Sequence, residues 1–208
     1  MAAFDNPEEL ARLPLFAGIA PDRLRRLNER LGRLNIPTGR MLMSAEQPGE
    51  MAYVILSGTL HIHLTDANGE EITLALLGPG EIVGEMALID DDVRSASVVA
   101  LEPVSLIWID RQTFTWAVHE MPQLKDNLIR IQARRLRHMN AQYLALATLD
   151  VLGRVARLLL LLAETYGYRE PGGIRIQLRL TQEHIAHLVA ATRVRVNEVL
   201  VGFTRRTL

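Results

Sequence analysis

Residues 59–78 read TLHIHLTDANGEEITLALLG, and this stretch decides the kind of fold. Apolar and polar residues alternate on either side of Asn68-Gly69. Alternation with period two belongs to half-buried strands, and Asn-Gly between two such runs is the strongest short hairpin signal. Working outward, AYVILSG at 52–58 is another strand, stopped by Gly58. GPGEIVGE at 78–85 brings three glycines within seven residues, and SASVVALEPVSLIWID at 95–110 adds two apolar strands broken at Glu102-Pro103. Short antiparallel strands at this spacing predict a jelly-roll β-barrel or a barrel-like sandwich over residues 1–110. Helical spacing at Leu10, Leu13, Phe16, Leu24, Leu27 and Leu31 leads into it, so the class is α+β.

The chain has 208 residues, 49% of them hydrophobic, enough to bury a proper core. It contains no run of about 18 apolar residues, so no membrane span is expected. The N-terminal MAAFDNPEELARLP carries acidic residues and lacks the apolar core of a signal peptide, so a cytoplasmic location is expected. Cysteine is absent, which excludes disulfides, thiolate chemistry and cysteine-held iron–sulfur clusters. The net charge of −1 hides an asymmetry: residues 1–150 carry 14 Lys/Arg against 20 Asp/Glu, and residues 151–208 carry 9 against 4. An acidic body with a basic C-terminal piece suggests that the tail meets a polyanion.

Residues 111–149 contain no Gly and a single Pro, Pro122. Proline is tolerated in the first turn of a helix, so a short helix is expected to end near Glu120 and a long one to begin there. From Gln123 to Leu149 it would extend about 40 Å. Leu136, Met139, Tyr143 and Leu146 follow three–four spacing, and Leu124, Leu128 and Ile131 form an earlier stripe in another phase. Such a helix either lies across its own β-roll or pairs with a second copy, and homodimerisation is the expectation adopted.

Residues 150–208 begin with DVLGRVARLLLLLAE, an amphipathic helix. GGIRIQLRL alternates Ile174, Ile176, Leu178 and Leu180 with Arg175, Gln177 and Arg179, predicting a strand with one basic face. TQEHIAHLVAA follows, with Thr181 as N-cap and Ile185, Leu188 and Val189 as its buried stripe. In TRVRVNEVLVGF the N-cap is Thr192, and Val196, Val199, Leu200 and Phe203 share one face. Two short helices joined at Ala190-Ala191 have the size of a helix-turn-helix.

GEMALIDDDVRSASV at 84–98, LDVLGRVARLLLLLAE at 149–164 and LTQEHIAHLVAATRVRVNEVL at 180–200, in this order, resemble the cyclic AMP receptor/fumarate–nitrate regulator family of bacterial transcription factors. The resemblance covers nearly the whole chain. It implies a cyclic-nucleotide-binding β-roll over 1–110, a dimer helix over 111–149 and a helix-turn-helix domain over 150–208, and no enzymatic activity. The expected effector is cyclic AMP or a related cyclic nucleotide, and no metal is expected. The implied partners are double-stranded DNA bearing a near-palindromic operator, a second copy of the chain and RNA polymerase.

The implied roles make chemical sense. Arg94 offers a planar, permanently charged fork to phosphate oxygens, and Glu85 can accept a hydrogen bond from the ribose 2′-hydroxyl. Ser95 adds a hydroxyl donor beside Ala96, while Gly84 and the turn through Met86 and Ala87 let backbone N–H groups approach the anion. On the dimer helix Arg135 is a further candidate ligand contact, and aligning on it puts Met139 and Asn140 where the family meets the base. Met139 can only pack against the ring, whereas Asn140 can hydrogen-bond a purine edge. The other reading of Glu85 and Arg94 is a structural ion pair across a hairpin.

On the recognition helix, Arg193 matches the family arginine suited to bidentate contact with guanine. Val194 and Glu198 depart from the family pattern and share its face with Asn197, so a different operator is expected. Thr181, Thr192, Arg195, Arg205 and Arg206 are expected at phosphates, which position without specifying sequence. The family's β-hairpin wing, normally placed after this helix, has no counterpart before Leu208.

His61 and His63 form H-x-H on one strand, but the acids that follow, Asp66 and Glu70, do not fit the cupin metal pattern. They are expected to be exposed strand histidines. A haem-based gas sensor of the same architecture would need axial ligands such as His63, His119 or His138, and the sequence singles out none. A family member without a ligand, controlled by its own expression level, is the remaining alternative.

Overall fold

The computed structural model describes residues 3–206, Arg206 by its backbone alone. Two 3₁₀ turns, Pro7–Arg12 and Pro14–Phe16, precede helix α1 (Pro21–Asn28). Eight strands follow: β1 (Gly32–Ile36), β2 (Met41–Met43), β3 (Met51–Ser57), β4 (Leu60–Thr65), β5 (Glu71–Leu77), β6 (Ile82–Val83), β7 (Ser97–Ala100) and β8 (Val104–Asp110). They form two four-stranded antiparallel sheets, ordered β1-β8-β3-β6 and β2-β7-β4-β5. Ile36, Ile55, Leu60, Val98, Ala100 and Leu106 fill the space between them.

The expected barrel is therefore two packed sheets that do not close. Strand β6 pairs with β3 over only two residues, and Gly84 then turns the chain away with φ +80°. The β4–β5 hairpin follows the sequence reading, but its loop is longer than a two-residue Asn-Gly turn. Asp66 Oδ1 accepts from the N–H groups of Asn68 (2.8 Å) and Glu70 (2.9 Å), which spreads the turn over 66–70.

Strands β3 and β8 read as continuous apolar runs because both faces are covered. Ile55 and Leu106 point between the sheets, while Val54, Ile107 and Ile109 pack beneath Phe16, Leu24, Leu27, Phe114 and Leu128. Gly32, paired with Trp108, lets the indole lie flat on β1: a Cβ there would fall 2.1 Å from Trp108 Cε2. Gly32→Ala should lower stability by about 1–3 kcal/mol through overpacking. The check is a reduced urea midpoint at unchanged slope.

Helix α3 (Arg111–Glu120) is capped by Asp110, whose carboxylate accepts from Thr113 N–H. Helix α4 (Pro122–Thr148) has two environments. Its first half packs on the chain's own roll through Leu124, Leu128 and Ile131, and Asn127 donates to Leu15 O and Ala17 O. Its second half leaves Leu136, Met139, Tyr143 and Leu146 43–77% exposed.

Helix α5 (Val151–Tyr166) is capped by Asp150, whose side chain accepts from Gly153 N–H. Then come β9 (Gly167–Glu170), β10 (Gly173–Ile176), α6 (Gln182–Leu188) and α7 (Arg193–Arg206). The strand expected through Leu180 ends at Ile176, because β10 pairs with β9 and that partner begins at Gly167 directly after α5. Leu178 and Leu180 instead pack on the Val155, Leu162, Ile185 and Val196 core. The missed hairpin had a signal: the turn residues Pro171-Gly172-Gly173, with Gly172 at φ +104°. Thr207 and Leu208, where the wing question arises, lie outside the described residues.

Candidate functional site: a buried arginine beside the long helix

Gly84 and the single helical turn α2 (Met86–Ile89) bring three charged side chains together. Arg94 is only 7% exposed, and its guanidinium donates from Nη1 to Gly84 O (2.7 Å) and from Nη2 to Met51 O (2.6 Å). It forms no ion pair among the described residues. Burial pulls its pKa below the ordinary value, yet it remains a cation. The small residues are part of the cradle: a Cβ on Gly84 would sit 2.6 Å from Arg94 Nη1, and one on Gly49 2.5 Å from Ala87 Cβ.

Glu85 is 1% exposed and does not pair with Arg94. Its Oε1 accepts from Gln132 Nε2 (2.6 Å) and Arg135 Nη1 (2.7 Å) on α4, which leaves Oε2 to accept from a hydroxyl. Arg135 also donates to Glu81 Oε2 (2.9 Å) and to Ile82 O. Burial opposes its charge, but the Glu85 and Glu81 carboxylates outweigh burial and raise its pKa. The structural ion pair considered from sequence is thus replaced by two separate arrangements. Arg94 lies against backbone carbonyls, and Glu85 is tied to the long helix.

Ser95 and Met86 are exposed beside this cradle, their Oγ and Sδ 3.7 Å apart, whereas Ala87 and Ala96 are buried. Met139 and Asn140 stand on α4 beyond Arg135, both exposed. Sequence reading missed Gln132, Glu81 and Arg111. Arg111 donates to Gly49 O (2.6 Å) and Ala87 O (3.0 Å), pinning α2 to the roll. Gln132 was detectable as the residue one turn before Arg135.

The second candidate surface is on α7. Arg193, Val194, Asn197 and Glu198 are exposed, opposite buried Val196 and Val199. Arg195 Nη1 lies 2.7 Å from Glu198 Oε2, and Gln182 Nε2 donates to Asn197 Oδ1 (2.9 Å). The hydroxyls of Thr181 and Thr192 accept from His184 N–H and Arg195 N–H as caps.

The expectation of exposed strand histidines is overturned: His61 and His63 are 6% and 2% exposed, because α6 covers the β4–β5 hairpin. The three haem-ligand candidates stand on separate elements, β4, α3 and α4. No helix among the described residues is long and apolar enough to cross a membrane.

Residues 33–120 match a cyclic nucleotide-binding domain model, and residues 153–208 a Crp-like helix-turn-helix domain model. The chain is 35% identical to the CRP-like cAMP-activated global transcriptional regulator of Mycobacterium tuberculosis, over 96% of this chain and 89% of that protein. It is 34% identical to the cyclic AMP receptor protein of Thermus thermophilus, over 90% and 83%. The crystal structure of Thermus thermophilus catabolite activator protein superposes with a TM-score of 0.58 at 30% identity, covering 93% of this chain and 88% of that one. Matched over almost its full length, with nucleotide-binding and helix-turn-helix domains in the same order, this chain belongs to the CRP-like family of DNA-binding transcription regulators.

Proposed function

We propose that this chain is a homodimeric transcription regulator gated by a cyclic nucleotide, with cyclic AMP the first candidate. The observation that carries this reading is Arg94, a buried cation without an ion-pair partner among the described residues. Burying a charge costs several kcal/mol unless it is compensated, and two carbonyls compensate it only partly. A nucleotide phosphate supplies the missing anion, Ser95 and the backbone of Gly84, Met86 and Ala87 flank it, and Ala96 leaves room. Glu85 Oε2 takes the ribose hydroxyl. Arg135, Met139 and Asn140 bring α4 against the base.

The gate follows from the Glu85–Arg135 contact. A ligand that engages Glu85 changes what holds α4 to the roll, and so favours one arrangement of the helix over another. The apolar second half of α4 supports a partner helix from a second copy. Calorimetric titration with cyclic AMP and cyclic GMP tests the gate, and no binding of either would remove the nucleotide reading.

For DNA, the reading assigns Arg193 to a guanine edge, Val194, Asn197 and Glu198 to neighbouring bases, and Thr181, Thr192 and Arg195 to phosphates. Arg193→Ala should cost about 1–3 kcal/mol at one operator position and relax preference there. A uniform loss across all sequences in a binding-site selection would make Arg193 a phosphate contact instead.

A further inference from the structure

Four histidines meet where α6 rests on the β4–β5 hairpin. The rings of His61 and His63 stack with centroids 4.8 Å apart, and the His184 ring of α6 lies 5.0 Å from that of His61. Thr73 Oγ1 links His61 Nε2 (2.9 Å) to His187 Nδ1 (3.1 Å). Glu71 Oε1 is 3.7 Å from His63 Nε2. Nothing in the nucleotide or DNA readings uses this cluster.

Two observations single it out as a ligand site. One ligand atom each from His61, His63 and Glu71 lie within 4.8 Å of one another. Nδ1 of His63, a residue only 2% exposed, has no hydrogen-bond partner among the described residues. A buried polar atom left unpaired is costly and rare in a native fold.

From this geometry we infer that a zinc-class divalent metal ion binds between the β-roll and the helix-turn-helix unit, held by His61, His63 and Glu71 with His184 as the ligand from α6. Imidazole nitrogens with one carboxylate suit zinc and its neighbours rather than calcium or magnesium. Zinc holds nitrogen at about 2.0–2.1 Å, so the ligand atoms must draw in by an ångström or more, and the exposed Glu71 carboxylate is free to do so. An ion shared by β4, β5 and α6 would tie the DNA-binding unit to the roll of its own chain, independently of the nucleotide cradle.

The full chain, stripped with a chelator, is titrated with Zn²⁺ against a chromophoric competitor, and Co²⁺ is added separately for its visible spectrum. One ion per chain, a four-coordinate Co²⁺ spectrum, and affinity weakened at least about tenfold in both Glu71→Gln and His184→Ala are expected. Glu71 is exposed and His184 only half-buried, so circular dichroism should show both variants folded. Absent binding, or equal affinity in wild type and both variants, overturns the site. A loss in Glu71→Gln alone confines the ion to the roll and overturns the bridge.

Discussion

Arg94→Leu should abolish the proposed nucleotide binding while the chain stays folded. The wild-type guanidinium is held by Gly84 O and Met51 O and has no carboxylate partner among the described residues, so under the proposed reading the nucleotide phosphate supplies its counter-charge. Removing one member of a buried, hydrogen-bonded charge pair costs about 2–5 kcal/mol, an affinity loss of roughly 30-fold to several thousand-fold. Leucine leaves those two carbonyls unsatisfied but also removes an expensive buried charge, so global stability should move far less than affinity. Calorimetric titration and a urea melt on the same preparation separate the two effects. Undiminished affinity would move the anion away from Arg94. A collapsed melt would make Arg94 a structural residue.

The second large effect concerns assembly. Leu136 and Tyr143 are 58% and 77% exposed on the same stretch of α4 as Met139 and Leu146. Fully burying side chains of this size contributes about 1.5–3 kcal/mol each, and a twofold interface counts every one twice. The double variant Leu136→Asp, Tyr143→Asp should therefore weaken the dimer by at least about 100-fold, leaving a monomer at micromolar concentration by sedimentation equilibrium. Operator affinity should fall with it, since a monomer engages a single half-site. A wild-type chain that sediments as a monomer would defeat the dimer reading directly. So would a variant that remains dimeric.

Local patterns account for what sequence reading recovered. Period-two alternation marked β4 and β5, and Pro122 marked the start of α4. Thr181 and Thr192 announced two helix starts through the hydrogen bond each offers to its own first turn. These signals act over a few residues, so they survive in the linear chain. Arg94 was singled out by the family resemblance, and the structure buries it against two backbone carbonyls.

The sequence by itself determined the order of the elements, a strand-rich roll, a long helix and a helix-turn-helix, because periodicity, capping and turn chemistry are local. Only the tertiary structure decided the partners. Glu85 reaches Gln132 and Arg135, 47 and 50 residues away, and no periodicity couples positions across such a gap. The same holds for the sheets, left open because β6 ends after two residues. His61 and His63 alternate as surface residues would, yet they are buried. Which face of a strand meets water depends on the layer that covers it, and here the cover is α6, from the far end of the chain.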